Sequence, residues 1–171
     1  MESARRINSI AQCYAHALAV DHEAVSRYAQ FAEWLEARGS DATARLFREM
    51  ARFTEEHAKS LESRIGDAAL PRVKETEHDW IDNAPHDQAD DSVVLQLMTA
   101  FDALKIAEDA ELHAQHFFEQ IAASAENTEV RKFARELSRE LAAHVRQLDT
   151  QLARTPHPPA PDTMVPSGML G

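Results

Sequence analysis

Apolar residues recur at alternating spacings of three and four along most of the chain, the period of a helix with one buried face. Over residues 3 to 38 the seam runs Ile7, Ile10, Tyr14, Ala17, Asp21, Ala24, Tyr28, Phe31, Leu35. Over 41 to 65 it runs Phe47, Met50, Thr54, His57, Leu61. The stretch from 92 to 154 begins with Leu97, Phe101, Leu104, Glu108, Glu111, Gln115, Phe118 and Ala122. It continues with Val130, Phe133, Leu137, then Glu140 or Leu141, then His144 and Leu148.

Helix breakers confirm the divisions. Gly39, Gly66, Pro71 and Pro85 are followed by no glycine or proline until Pro156, and the stretches between are rich in Ala, Glu, Arg, Leu and Gln. The last stretch is too long for one helix in a chain of this size, and Asn127-Thr128 is its least helix-favouring point, so a turn is expected there. The pattern predicts an all-α fold: a four-helix bundle of two hairpins, one turning at Gly39-Ser40-Asp41 and the other at Asn127. Ser40 or Asp41 can cap the second helix and Gly66 can end it. Residues 67–91 are polar and proline-interrupted, long enough to cross the length of a bundle and make the second and third helices parallel. One domain over 1–154 is expected. Residues 155–171 read as a flexible proline-rich tail with a small apolar tip, outside the core.

Each seam turns polar once, near its middle. Counting from the turns at about 1.5 Å per residue puts Asp21 level with Thr54 and His57, and Glu108 and Glu111 level with Glu140 and His144. A buried carboxylate without a partner costs several kcal/mol, so a cluster of four needs compensation. Two divalent cations would cancel the charge of Asp21, Glu108, Glu111 and Glu140, with His57 and His144 as neutral nitrogen ligands. Four carboxylates and two imidazoles make the ligand count of a di-metal carboxylate bundle.

Composition narrows the chemistry. The 171 residues carry 29 Asp and Glu against 18 Lys and Arg, a formal net charge of -11, which repels phosphate backbones and anionic lipid headgroups; neither nucleic acid nor membrane is expected as a partner. A lone cysteine, Cys13, excludes an intramolecular disulfide and any Cys-x-x-Cys centre, and Cys13 reads as a small buried hydrophobe. The N-terminus MESARRINSIAQ has no apolar signal core, and a cytoplasmic location is the expectation. Glu23, Glu55, Glu56, His22, His113 and His116 read as solvated, Tyr28 and Phe118 as core. His78, His86 and His157 fall in polar loops.

On these residues the chain resembles the rubrerythrin branch of the ferritin-like superfamily over roughly residues 10 to 150. DHEAVSRYAQFA carries Asp21 seven residues before Tyr28, where the family has a glutamate. FREMARFTEEH matches at Phe47, Ala51 and His57, with Thr54 where the family has another glutamate. EDAE reproduces the family's Glu-x-x-Glu pair at Glu108 and Glu111, and FARELSRELAAH supplies Glu140 and His144.

The resemblance implies a ferritin-like fold holding iron, as a di-iron site, through Asp21, His57, Glu108, Glu111, Glu140 and His144. It also implies an oxidoreductase reacting Fe(II) with peroxide or dioxygen, as a peroxide reductase or ferroxidase. A rubredoxin-like domain is missing, so an external electron-donor protein is expected, and a homodimer is expected by resemblance. The alternative is a non-enzymatic metal-binding or structural bundle holding a single ion or zinc. The tail adds a third reading, iron-handling cargo docked on an encapsulating shell as in encapsulin compartments.

Overall fold

The fold is described by a computed structural model over residues 7–73 and 98–158. Those residues form four α-helices: α1 (Ile10–Glu36), α2 (Asp41–Ile65), α3 (Ala100–Ser124) and α4 (Thr128–Leu152). Among the described residues there is no strand, and no helix is long and apolar enough to cross a membrane.

Side-chain caps set the helix starts. Ser9 and Gln12 form a reciprocal capping box, so α1 begins at Ile10 rather than near residue 3. Thr99 and Asp102 form a second box, and α3 starts at Ala100 rather than at 92. The Asn127 side chain accepts hydrogen bonds from the backbone N–H groups of Glu129 and Val130, fixing the α3–α4 turn where the sequence places it. The α1–α2 turn uses Gly39 at φ 76°, a left-handed conformation that an L side chain resists. Ser40 is the residue before α2, but its side chain makes no capping hydrogen bond; the acid of the first turn is Asp41.

The core divides into two apolar clusters. One joins the start of α1 and α4 to the end of α2 and α3, through Cys13, Ala17, Leu61, Phe118, Ile121 and Phe133. The other joins the opposite ends, through Phe31, Leu35, Phe47, Leu104, Leu148 and Leu152. Because α2 and α3 both begin in the second cluster and end in the first, they run parallel, as the length of the connection predicts. Asn8 ties the same end of the bundle together by accepting a hydrogen bond from the Glu126 backbone at 3.0 Å.

Between the clusters lies a polar belt. On α1, Asp21 falls between Val20 of one cluster and Ala24 of the other. On α2, Thr54 and His57 fall between Met50 and Ala58, and on α3 Glu108 and Glu111 fall between Ala107 and Ala114. On α4, His144 falls between Leu141 and Leu148. The ambiguity at Glu140 resolves in favour of Leu141, which is buried; the Glu140 side chain is 55% exposed and meets the belt from its rim.

The crossover expected at 67–91 lies outside the described residues from 74 onward, and the tail from 159 onward. The first tail residues stay on the bundle: the His157 ring, assigned no structural part by sequence, lies 4.1 Å from that of Phe101.

Candidate metal centre

Two hydrogen-bonded chains cross the belt. From α2, His57 Nδ1 lies 2.7 Å from Asp21 Oδ2 on α1, and His57 Nε2 lies 3.0 Å from Glu140 Oε2 on α4. One imidazole thereby links three helices. In the second chain the Tyr28 hydroxyl of α1 donates to Glu111 Oε1 on α3, and Glu111 Oε2 lies 3.3 Å from His144 Nδ1 on α4. Together the two chains stitch one hairpin to the other.

Glu108 has a different partner. Its Oε2 accepts from Lys105 Nζ at 2.5 Å, and the same ammonium lies 3.6 Å from Asp109. Glu108 is itself buried, whereas Lys105 is half-exposed, so a surface cation neutralises an interior acid.

The electrostatics follow from these contacts. Hydrogen bonds to Asp21 and Glu140 hold the His57 imidazolium, raising its pKa from the ordinary 6.5 to about 10 against the opposing effect of burial. For His144, burial works downward, but the hydrogen bond to Glu111 and the nearby acids outweigh it and the pKa rises. Burial raises Asp21 despite its contact with His57. Glu140 goes the other way, lowered chiefly by its hydrogen bond to His57. Tyr28 is raised well above the phenol range, first by burial and then by the Glu111 carboxylate, and stays a neutral donor. In this arrangement the His57 imidazolium supplies positive charge to the carboxylates of Asp21 and Glu140.

Asp21, Thr54, His57, Glu140, His144 and Gln147 face a cavity of about 350 Å³. The Thr54 hydroxyl is buried there with no hydrogen-bond partner, a cost that a native interior normally avoids.

The six residues singled out by sequence are therefore gathered at one level, as three groups: Asp21 with His57 and Glu140, Glu111 with His144, and Glu108 with Lys105. Among the described residues, no three His, Cys, Asp or Glu side chains are disposed to hold an ion jointly in this arrangement. The donor chemistry nonetheless fits one: imidazole nitrogen and carboxylate oxygen without thiolate suit divalent iron or zinc. Binding would require His57 to exchange its proton for the ion.

The rubrerythrin family model matches residues 15–152. The chain belongs to the rubrerythrin family. Its bundle is accordingly ferritin-like. It is also similar to the crystal structure of an uncharacterised conserved protein from Magnetospirillum magnetotacticum, at 30% identity over 90% of this chain and 99% of that one, with a TM-score of 0.79. No curated protein matches the chain. Within the rubrerythrin match lie all six candidate ligands and also Thr54.

Sequence reasoning overlooked Lys105 and Phe53. Lys105 was legible in principle, three residues before Glu108 on one helical face. Phe53 lies off the α2 seam, so the spacing rule assigns it to the surface. It is 59% exposed and still lines the cavity. His22, Glu23, Glu55, Glu56, His113 and His116 are exposed, and Tyr28, Phe118 and Cys13 are buried.

Proposed function

We propose that this rubrerythrin-family bundle is a di-iron carboxylate protein of the peroxide reductase or ferroxidase type, with Asp21, His57, Glu108, Glu111, Glu140 and His144 as ligands. The observation that supports the reading is the belt: Asp21, His57, Glu108, Glu111 and His144 fall between two apolar clusters, and Glu140 reaches them from the rim, all inside the residues the family model matches. Iron bound there would supply reducing equivalents to peroxide or dioxygen and offer open coordination positions.

The chain's own residues do the rest. Asp21 and Glu140 position His57 from both ring nitrogens, and Tyr28 holds Glu111 in one orientation through its hydroxyl. The apolar clusters above and below shield the inner part of the belt at Glu108 and Glu111, while Glu140 stands at its exposed rim. Thr54, in the place of a family glutamate, leaves one position to water or to Glu111. The one cysteine of these 171 residues cannot build a Cys-x-x-Cys iron centre, so the reading takes its electrons from a donor outside them.

Anaerobic Fe(II) titration followed by peroxide tests the reading. Saturation near two ions per chain and rapid loss of chelatable Fe(II) are expected; slow oxidation at the rate of free Fe(II) would reject it. A second reading, a non-enzymatic bundle holding one structural ion such as zinc, draws support from Lys105, whose ammonium already neutralises Glu108. Elemental analysis of chain purified without chelator separates the two: iron near two per chain against zinc near one.

A further inference from the structure

Of the described residues only Phe53 and Leu112 are large, apolar and exposed, at 59% and 43%. Phe53 stands on α2 at the rim of the 350 Å³ cavity, whose apolar wall includes Met50, Phe118 and Leu141. The α4 side of the same rim includes a small, partly exposed residue, Ala143. A protruding phenyl ring and an apolar hollow thus lie side by side, a knob and a hole on one surface. The charges beside them match in the same way. α2 and α4 pass through the two apolar clusters in opposite order and so run antiparallel, and His57 touches Glu140. Counting from that contact puts Phe53 level with Ala143, Glu56 with Arg139 and Glu49 with Arg146, each within about two residues, or 3 Å of rise. At spacings of four and three, Glu49, Phe53 and Glu56 form one stripe on α2, and Arg139, Ala143 and Arg146 form one on α4. All four charged side chains are exposed, and no ion pair ties any of them to another described residue.

We propose that two copies of the chain dock through their α2–α4 faces about a two-fold axis parallel to the helices, Phe53 of each seated against Ala143 of the partner subunit at the cavity mouth. Such an axis keeps heights and exchanges left for right, so α2 of one copy faces α4 of the other. Acid stripe then meets arginine stripe: Glu56 faces the partner's Arg139 and Glu49 the partner's Arg146, and each pairing occurs twice. An axis perpendicular to the helices would lay α2 on α2 and α4 on α4, setting acids beside acids and arginines beside arginines. The charges therefore select the first axis. The area suffices. Two helices of 25 residues each are about 37 Å long, and a face about 20 Å wide gives roughly 740 Å² per copy, close to the ~800 Å² of a stable interface. Phe53 supplies most of the affinity by leaving water, whereas the exposed pairs fix the register and exclude wrong ones. The docking is independent of what the belt binds.

Sedimentation velocity of the full chain over a range of concentrations tests the docking. A reversible dimer with Kd below about 100 µM is expected. Phe53→Ser shortens a side chain that is already exposed, and should leave the chain monomeric with its helical content retained. Glu56→Arg alone and Arg139→Glu alone should each weaken the dimer about tenfold, because the two-fold axis turns one substitution into two repulsive pairs. The two substitutions in one chain should restore the wild-type Kd to within about threefold. An equal mixture of the two single variants should do the same as a heterodimer, each copy supplying the charge that the other lacks. Glu49→Arg with Arg146→Glu should repeat the pattern, while Glu119→Arg, exposed on α3, should change Kd less than about twofold. A chain that stays monomeric to about 500 µM overturns the proposal. A dimer that survives Phe53→Ser also overturns it, since the contact then lies on another face. So does a charge-reversed pair that dimerises no better than its single parents, since the stripes then do not meet.

Discussion

His57 Nδ1 lies 2.7 Å from Asp21 Oδ2, and this contact is the first cause of the raised His57 pKa. With a pKa of about 10, His57 is protonated at neutral pH, and only its neutral form can ligate. Metal binding at pH 7 should therefore release about one proton from this residue. Calorimetric titration of Zn(II) in buffers of differing ionisation enthalpy measures the number, and it should fall by about one in His57→Gln. A wild-type value indistinguishable from that of the variant would contradict the assignment.

The same proton gives the metal-free bundle a pH dependence. His57 has a folded pKa above its ordinary value, so the stabilisation it contributes is complete below about pH 6.5 and is lost as pH rises toward 10. Chemical denaturation of the chelator-treated chain should show stability declining across that window. In His57→Gln the decline should flatten.

Lys105 is half-exposed but its partner Glu108 is buried, so the ammonium compensates a carboxylate that water does not reach. A cation competing for Glu108 must displace that ammonium. Lys105→Met should raise affinity for a divalent ion about tenfold, or roughly 1.4 kcal/mol, while lowering the thermal midpoint of the metal-free chain, because Glu108 is left buried without its cation. Unaltered affinity would mean that Glu108 is not a ligand.

Tyr28 donates to a carboxylate on another helix, both being buried. Tyr28→Phe leaves Glu111 Oε1 without that donor and should destabilise the metal-free chain by about 1–3 kcal/mol. The loss should shrink once metal is bound, if Glu111 then finds a ligand's partner. Paired melts with and without metal measure the difference.

Cys13 is fully buried and its thiol is pushed up to about 12 by burial. Thiolate is the reactive form, so alkylation by iodoacetamide at pH 8 should be slow in the native chain and follow unfolding in denaturant. Rapid native labelling would place the α1 start outside the core.

Much of this was legible in the sequence because the period of a helix is short and regular. Gly39, Gly66 and Asn127 punctuate it, and the interruptions at Asp21, His57, Glu108, Glu111 and His144 fall at equal counts from the turns. Counting along a helix gives height, and height was enough to predict a shared level. Spacing does not give direction of reach. Glu140 extends in from the rim while Leu141 takes the interior, and a pattern one residue apart cannot separate them. Nor does spacing give partnership: Glu108 with Lys105, and the empty surroundings of the Thr54 hydroxyl, depend on side-chain torsions set by packing. The helix starts at Ile10 and Ala100 depended on capping boxes whose Ser9–Gln12 and Thr99–Asp102 spacings were in plain view.

The division of the interior into two apolar halves has a bearing on how the molecule comes apart. Every helix threads both halves, and each half draws on all four helices, so neither can be lost without unzipping the other's strands of contact. Nor can a single hairpin assemble either one alone. The belt is a chemical partition without being a mechanical one, and amide exchange in the middle of α1 and α4 should therefore report the same opening free energy on both sides of it.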